Sequence, residues 1–189
     1  MYIDKYLSWD FHIHELCKRL SRANGIISKL RYNAPLSVRL KVYFAIFHSD
    51  FSYGCNIWGL TTEENIQKIE ILQRKCVRLL TFSPYNCHTN KIFIDLGLLK
   101  LRDIIKVEQI KLVYKFQNSN LPTDLMGLFS FTSDISTTNL ELKRNMDNLY
   151  IPGIRSKTYG LKSVKYFYAK LWNDTFVNGI TIASGKTLT

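Results

Sequence analysis

Residues 40–80 constrain the fold more than any other stretch. They read LKVYFAIFHSDFSYGCNIWG and then, after Leu60, TTEENIQKIEILQRKCVRLL. The first part is apolar almost without interruption, with Val42, Tyr43, Phe44, Ala45, Ile46 and Phe47 in succession. A helix that is apolar on every side is a buried one. The second part is two-sided, with Ile66, Ile69, Leu72, Cys76, Val77 and Leu80 recurring every three or four residues. That period marks a helix that packs one stripe on a neighbour. The pair predicts a central buried helix with an amphipathic partner laid against it.

The flanking sequence extends the helical pattern. Residues 1–9 hold Tyr2, Ile3, Tyr6, Leu7 and Trp9, good strand formers around an Asp4-Lys5 turn, and predict a short strand or hairpin. Residues 10–31 switch to a helical period, with Ile13, Leu16, Cys17, Leu20, Ala23, Ile27 and Leu30 on one face and Asp10 as N-cap. Gly25 inside this helix suggests a close contact. Ser37 caps the central helix, Ser52-Tyr53-Gly54 is a break, and Gly59 closes it as the C′ residue, a position commonly left-handed. Thr61 and Glu64 form a capping box for a helix over residues 63–81. Shorter helices follow at 91–96, 123–129 and 163–174, with Val164, Phe167, Tyr168, Leu171 and Trp172 inward on the last. A long amphipathic helix spans 101–117. Residues 131–149 are rich in Ser, Thr and Asn and read as a linker. The end of the chain is small and polar, which predicts a disordered tail.

Composition narrows the class. With 46% apolar and 13% aromatic residues in 189, a core is available and a disordered chain is excluded. No apolar run reaches the roughly 18 residues of a membrane span, and no signal peptide is evident. Cys17, Cys55, Cys76 and Cys87 are widely spaced, without a CxxC pair, and predict free thiols in an intracellular protein of the nucleus or cytoplasm. The net charge of +11 points to a polyanionic partner, most often nucleic acid. Solvated helix faces are the plainer account of the same charge.

Catalytic chemistry is not visible in the residues. Glu63 and Glu64, the adjacent acids, sit in a first helical turn where the helix dipole favours them. His12 and His14 fall on different helix faces, and Cys87-His88 are too close in sequence to close a tetrahedral metal site. No nucleophile elbow, phosphate-binding glycine loop or dinucleotide fingerprint occurs. The expectation is a binding or structural module without metal or cofactor. What remains is basic. Lys18, Arg22 and Lys29, at offsets of 4 and 11, share the outer arc of the first helix. Lys68, Lys75 and Arg78 lie away from the apolar stripe of the helix over 63–81. Such cations could neutralise phosphates without reading bases.

Taken in order, YIDKYLSWDFHI, KRLSRANGIISKLR, SYGCNIWG and IQKIEILQRKCVRLLTFSPYNCHT resemble the segment that follows the catalytic palm in reverse transcriptases of non-LTR (LINE) retrotransposons, of the jockey-like group. The pattern there is an "LG" strand, "L.W..HI", a "KLR" helix, "YG...WG" and a helix beginning "LQ". The turn NSNLP and the stretch YGLKSVKYFYAKLWN continue the likeness, which covers residues 2–173. The resemblance implies a mainly α-helical thumb-like bundle with an irregular C-terminal extension, holding a template–primer duplex by its backbone.

By that resemblance, residues 1–9 are a remnant strand at the palm junction and 10–82 the thumb-like bundle. Residues 83–130 are a connector with further helices, 131–149 a polar linker, 150–174 the extension and 175–189 a disordered tail. The first basic helix, with Lys18, Arg19 and Arg22, would face the duplex; Lys29, Arg31, Lys68, Lys75 and Arg78 complete the candidate contacts. The catalytic aspartates of the family belong to a palm hairpin that this sequence does not contain. The expectation is therefore a non-catalytic fragment of a truncated element, binding RNA or DNA with low specificity, with a palm supplied in trans as a further partner. A helical protein–protein adaptor and a decayed reading frame without function stay open as alternatives.

Overall fold

In a computed structural model, residues 1–135, 148–156 and 160–177 are described. The chain divides into two compact units, Met1–Lys106 and Val107–Thr189. The described residues are mainly helical, as the sequence predicts, and contain no strand; their one β-type pairing is an isolated bridge between Phe131 and Leu149. No helix among them is long and apolar enough to cross a membrane. The linker expected at 131–149 lies largely outside the described residues, as does the tail expected at 175–189 from residue 178 onward.

The predicted N-terminal strand or hairpin does not form. Asp4 instead gathers the chain around its carboxylate, accepting from the N–H groups of Tyr6 (2.8 Å), Ser8 (3.1 Å) and Trp9 (3.0 Å) and from the Ser8 hydroxyl (2.9 Å). Those hydrogen bonds hold the carboxyl below its usual range. β-propensity needs a neighbouring edge, and no strand among the described residues offers one.

Helix α1 (Asp10–Leu30) buries Ile13, Leu16, Leu20, Ala23 and Ile27 along one face. Helix α5 (Glu63–Thr81) buries Ile66, Ile69, Cys76, Val77 and Leu80. The two helices pack together and run the same way. Near their starts Asn65 donates to Asp10 Oδ1 (2.7 Å), and further along Asn24 donates to the Leu72 carbonyl (3.1 Å). Asp10 is the first helical residue rather than the cap, and it is engaged by α5. Thr61 does not form the capping box. Thr62 holds the N-cap position without a side-chain bond, while the Thr61 hydroxyl donates to the Ser8 carbonyl (3.0 Å) and accepts from Asn65 (3.0 Å). Gly25 has nothing near the place a Cβ would take, so no close contact explains it.

The segment between these helices departs from the all-round burial its composition predicts. It comprises α2 (Leu36–Val42), a π-helical turn (Tyr43–His48), α3 (Ser49–Ser52) and α4 (Cys55–Trp58). Pro35, not Ser37, occupies the N-cap position of α2. Buried are Arg39, Tyr43, Phe47, Phe51, Cys55 and Trp58, a single line with a step of four that shortens to three at its end, while Phe44 is 49% exposed. In an α-helix residues four apart drift by about 40° per step, so such a line would soon leave its face. The wider π turn carries i→i+5 bonds and absorbs part of that drift. Gly54, at φ 66°, then breaks the helix where the sequence predicts a break. Gly59 is not left-handed. It is small because a Cβ there would come within 2.7 Å of Ile105 and 2.3 Å of the Cys55 carbonyl.

Gln73 of α5 ties the core to helix α7 (Leu101–Gln117), which follows α6 (Thr89–Asp95). Its side chain is buried, accepts from Leu101 N–H (2.9 Å), and donates to the Leu99 carbonyl (3.0 Å) and the Tyr43 hydroxyl (3.3 Å). Burial pushes the Tyr43 phenol well above its usual range. Leu101, Ile104 and Ile105 complete this core.

The second unit continues from α7 through α8 (Thr123–Met126) and α9 (Thr132–Ile135) to α10 (Val164–Trp172) and a terminal π turn (Asn173–Val177). Phe116 lies against Phe129 and Phe131, and Phe129 stacks on Tyr168. Buried Asn173 engages the Leu149 backbone at both groups, accepting from its N–H (3.0 Å) and donating to its carbonyl (2.9 Å). Ser163 caps α10 by accepting from Tyr166 N–H. Tyr168, Ala169 and Trp172 face inward; Phe167, predicted inward, is exposed.

This core generates two predictions. Gln73→Leu strands Leu101 N–H and the Leu99 carbonyl and is expected to cost at least about 2 kcal/mol in urea unfolding. Ile71→Ala, on the exposed face of α5, is expected to stay within about 0.5 kcal/mol. Equal unfolding midpoints for the two variants would refute this role of Gln73. The second concerns His12, which is 3% exposed between Tyr2, Trp9 and Trp58. Burial, then the positive N-terminus and Arg19, hold its pKa below 6.5. Because the fold favours neutral imidazole, the stabilisation is complete above pH 6.5 and is lost as pH falls toward the lowered value. Wild type should lose more stability than His12→Phe on going from pH 7 to pH 5; parallel profiles by denaturant titration would contradict it.

Candidate nucleic-acid interface

The outer face of α1 carries three cations, and the fold exposes them. Lys18, Arg22 and Lys29 all lie exposed, opposite the buried face of Ile13, Leu16, Leu20 and Ile27. At 1.5 Å per residue the three span about 16 Å of helix. Lys18 donates to Glu15 (2.7 Å), and this bond is the main reason the Glu15 carboxyl lies below its usual range, with Arg22 adding a smaller electrostatic pull. Lys29 has no ion pair among the described residues.

Arg19 lies around the helix from these three. It reaches Asp50 of α3 at 3.7 Å and, with Arg22, Ala23, Ile26 and Ile46, lines a shallow groove of about 210 Å³. An acid so placed offsets part of the charge that Arg19 would offer a phosphate.

The cations of α5 separate into two kinds. Lys68 and Lys75 are exposed. Lys68 donates to Asn65 Oδ1 (3.1 Å) and lies near Cys17 of α1, where its charge opposes the burial that raises the Cys17 thiol. That proximity puts Lys68 on the α1 side of α5. Arg78 is half-buried and engaged nearby. Its Nε donates to the Cys87 carbonyl (3.0 Å), and its guanidinium lies 5.9 Å from the Tyr85 ring centre. Arg31 is also half-buried, 4.6 Å from the ring centre of Phe82. The fold therefore brings Lys18, Arg22, Lys29, Lys68 and Lys75 out to solvent on two packed helices, and gives Arg19, Arg31 and Arg78 partners of their own.

A second polar cleft, of about 280 Å³, is lined by Glu70, Gln73, Arg74, Asn90, Lys100 and Arg102 among others. Arg102 there bonds Glu70 (2.8 Å) and both oxygens of Glu63, which lowers the Glu63 carboxyl. Arg74 and Arg102 there are paired with acids, while Lys100 has no ion pair among the described residues. Among the described residues no group of three or more His, Cys, Asp or Glu side chains could hold a metal ion.

Sequence reasoning missed Arg39, which is 6% exposed and donates to the Leu80 carbonyl. A signal existed: Arg39 stands four residues before Tyr43, on the buried line itself. It also missed the exposed rings of Tyr32 and Phe82, which no helical period marks.

Comparison with known proteins agrees with the resemblance read from the sequence. The chain is 29% identical over 107 residues to a "Probable RNA-directed DNA polymerase from transposon X-element" of Drosophila melanogaster, covering 54% of this chain and 12% of that protein. It is 24% identical over 127 residues to the RNA-directed DNA polymerase from mobile element jockey of Drosophila funebris, covering 65% of this chain and 14% of the relative. A polymerase described for transposon BS of Drosophila melanogaster is 27% identical over 99 residues, 51% of this chain and 11% of its own length. The chain thus spans between 11% and 14% of the length of these relatives. No family model matches the chain, and no solved structure matches it.

Proposed function

We propose, starting from that likeness to a segment of retrotransposon RNA-directed DNA polymerases, that these residues form a thumb-type module that holds nucleic acid by its backbone and carries out no chemistry of its own. The observation that carries this reading is the exposed cation face of α1 and α5 on a chain of net charge +11. Lys18, Arg22, Lys29, Lys68 and Lys75 are the phosphate contacts; Arg19, Arg31 and Arg78 border them. Contacts of this kind release condensed counterions and do not read base edges, so binding is tolerant of sequence and steep in salt. The partner is RNA or DNA, as a template–primer would present it, and a catalytic palm works with the module.

The test is a filter-binding titration over a series of salt concentrations. Wild type is expected to bind a duplex at low salt. Lys18→Glu with Arg22→Glu should weaken binding and flatten the log–log salt slope by roughly two, about 0.9 for each phosphate no longer neutralised. Absence of wild-type binding at low salt would sink the reading. Primer extension by the purified chain is expected to give no product, and product would overturn the non-catalytic part.

A further inference from the structure

Where α1 and α5 end, the chain builds a feature that the backbone-holding reading does not use. Phe82 caps α5 in the left-handed conformation (φ 60°), a position usually taken by glycine. Two guanidinium groups lie over its ring, Arg31 at 4.6 Å and Arg39 at 4.5 Å from the centre. Arg39 is fixed by burial and by its bond to the Leu80 carbonyl. The Nε of each arginine has no hydrogen-bond partner. Neither arginine forms an ion pair with an acid among the described residues. Tyr32 meets Phe82 edge-on, with ring centres 5.7 Å apart, and is itself 80% exposed; Phe82 is 43% exposed.

Two like charges held around one ring, with no carboxylate to balance them, make a local field that favours an anion. The exposed Tyr32 ring beside them favours a flat π-system. A solvated helix end needs neither. The ligand chemistry that supplies both together, a planar base joined to a phosphate, is a nucleotide. Only unpaired nucleotides fit, because a duplex hides its base faces in its own stack.

We propose that Tyr32 and Phe82, with Arg31 and Arg39, form a stacking platform for unpaired nucleotides of single-stranded RNA or DNA. The platform lies at the ends of α1 and α5, and its residues differ from the outward lysines and Arg22. It rests on the reading that the chain binds nucleic acid, and it adds a preference that backbone contacts alone do not provide.

The test compares fluorescence anisotropy of the full chain with a labelled single-stranded oligo-uridine or oligo-thymidine and with a blunt duplex of equal length, at one low salt concentration. Because Tyr32 is exposed, Tyr32→Ala should fold as wild type, which circular dichroism checks. It is expected to weaken single-strand binding by about tenfold while leaving duplex binding within about twofold. Tyr32→Phe should retain wild-type affinity for both. Tyr32→Ala with unchanged single-strand affinity, or with equal losses on both ligands, overturns the platform. The backbone reading then still stands if duplex binding falls in Lys18→Glu with Arg22→Glu. Wild type that binds neither ligand removes both readings. Tyr32-dependent binding of poly-glutamate, without Tyr32-dependent binding of either oligonucleotide, assigns the patch to an acidic protein and overturns the proposal.

Discussion

A line of six side chains, Arg39, Tyr43, Phe47, Phe51, Cys55 and Trp58, is the constraint on which the first unit depends. Its apolar members belong to the same buried cluster as the apolar faces of α1 and α5 and the start of α7. Each large side chain removed from water contributes about 1.5–3 kcal/mol of hydrophobic free energy. The line stays straight only because the helix is not uniformly α. A strict α-helix over the same residues would turn Phe51 and Cys55 away from the position of Tyr43. The polar members of the core serve the same geometry. Asn65 and Gln73 each satisfy a partner on a neighbouring element, and a buried polar group that is satisfied fixes register where apolar contacts alone would slide.

Long periodic elements are legible in the residues alone. The bounds of α5 and α7 follow from three- and four-residue spacing, and those helices form as read. The break at Gly54 is legible too, because a left-handed residue in a tight turn favours glycine. Competition between partners is what a linear pattern does not carry. Thr61 has the spacing of a capping residue, yet a tertiary bond to Ser8 claims it. Residues 1–9 have strand propensity, yet one carboxylate offers their N–H groups a nearer acceptor. The central segment is apolar enough to be buried all round. Whether Phe44 faces a neighbour or water depends on how many elements surround it, which composition does not record.

The candidate site divides on the same physical line. Exposure of Lys18, Arg22 and Lys29 follows from helical period alone. The fates of Arg31, Arg39 and Arg78 do not, because each depends on an aromatic ring or carbonyl placed by a different element. Formal charge overstates what this surface offers a polyanion. Glu15 and Asp50 each offset one cation nearby, and Glu63 and Glu70 claim Arg102. Exposed cations without an acid partner among the described residues lie on α1 and α5 (Arg22, Lys29, Lys75) and also on α7 (Lys106, Lys115). That distribution suits an extended ligand lying along the bundle better than a compact ion in a pocket.

The π turn has one more effect, on how the protein can vary. It holds one extra residue's worth of rotation within Tyr43–His48. Side chains there can change within their size class without moving the elements that follow. Removing one residue there would return the turn to an ordinary α-helix with the following segment still in phase, whereas adding one would rotate everything after it by about 100°. Phe51, Cys55 and Trp58 would then swing out of the core together. An added residue is therefore tolerated less well in this short stretch than a changed one. Insertions that a surface loop of equal length would absorb should be rare here.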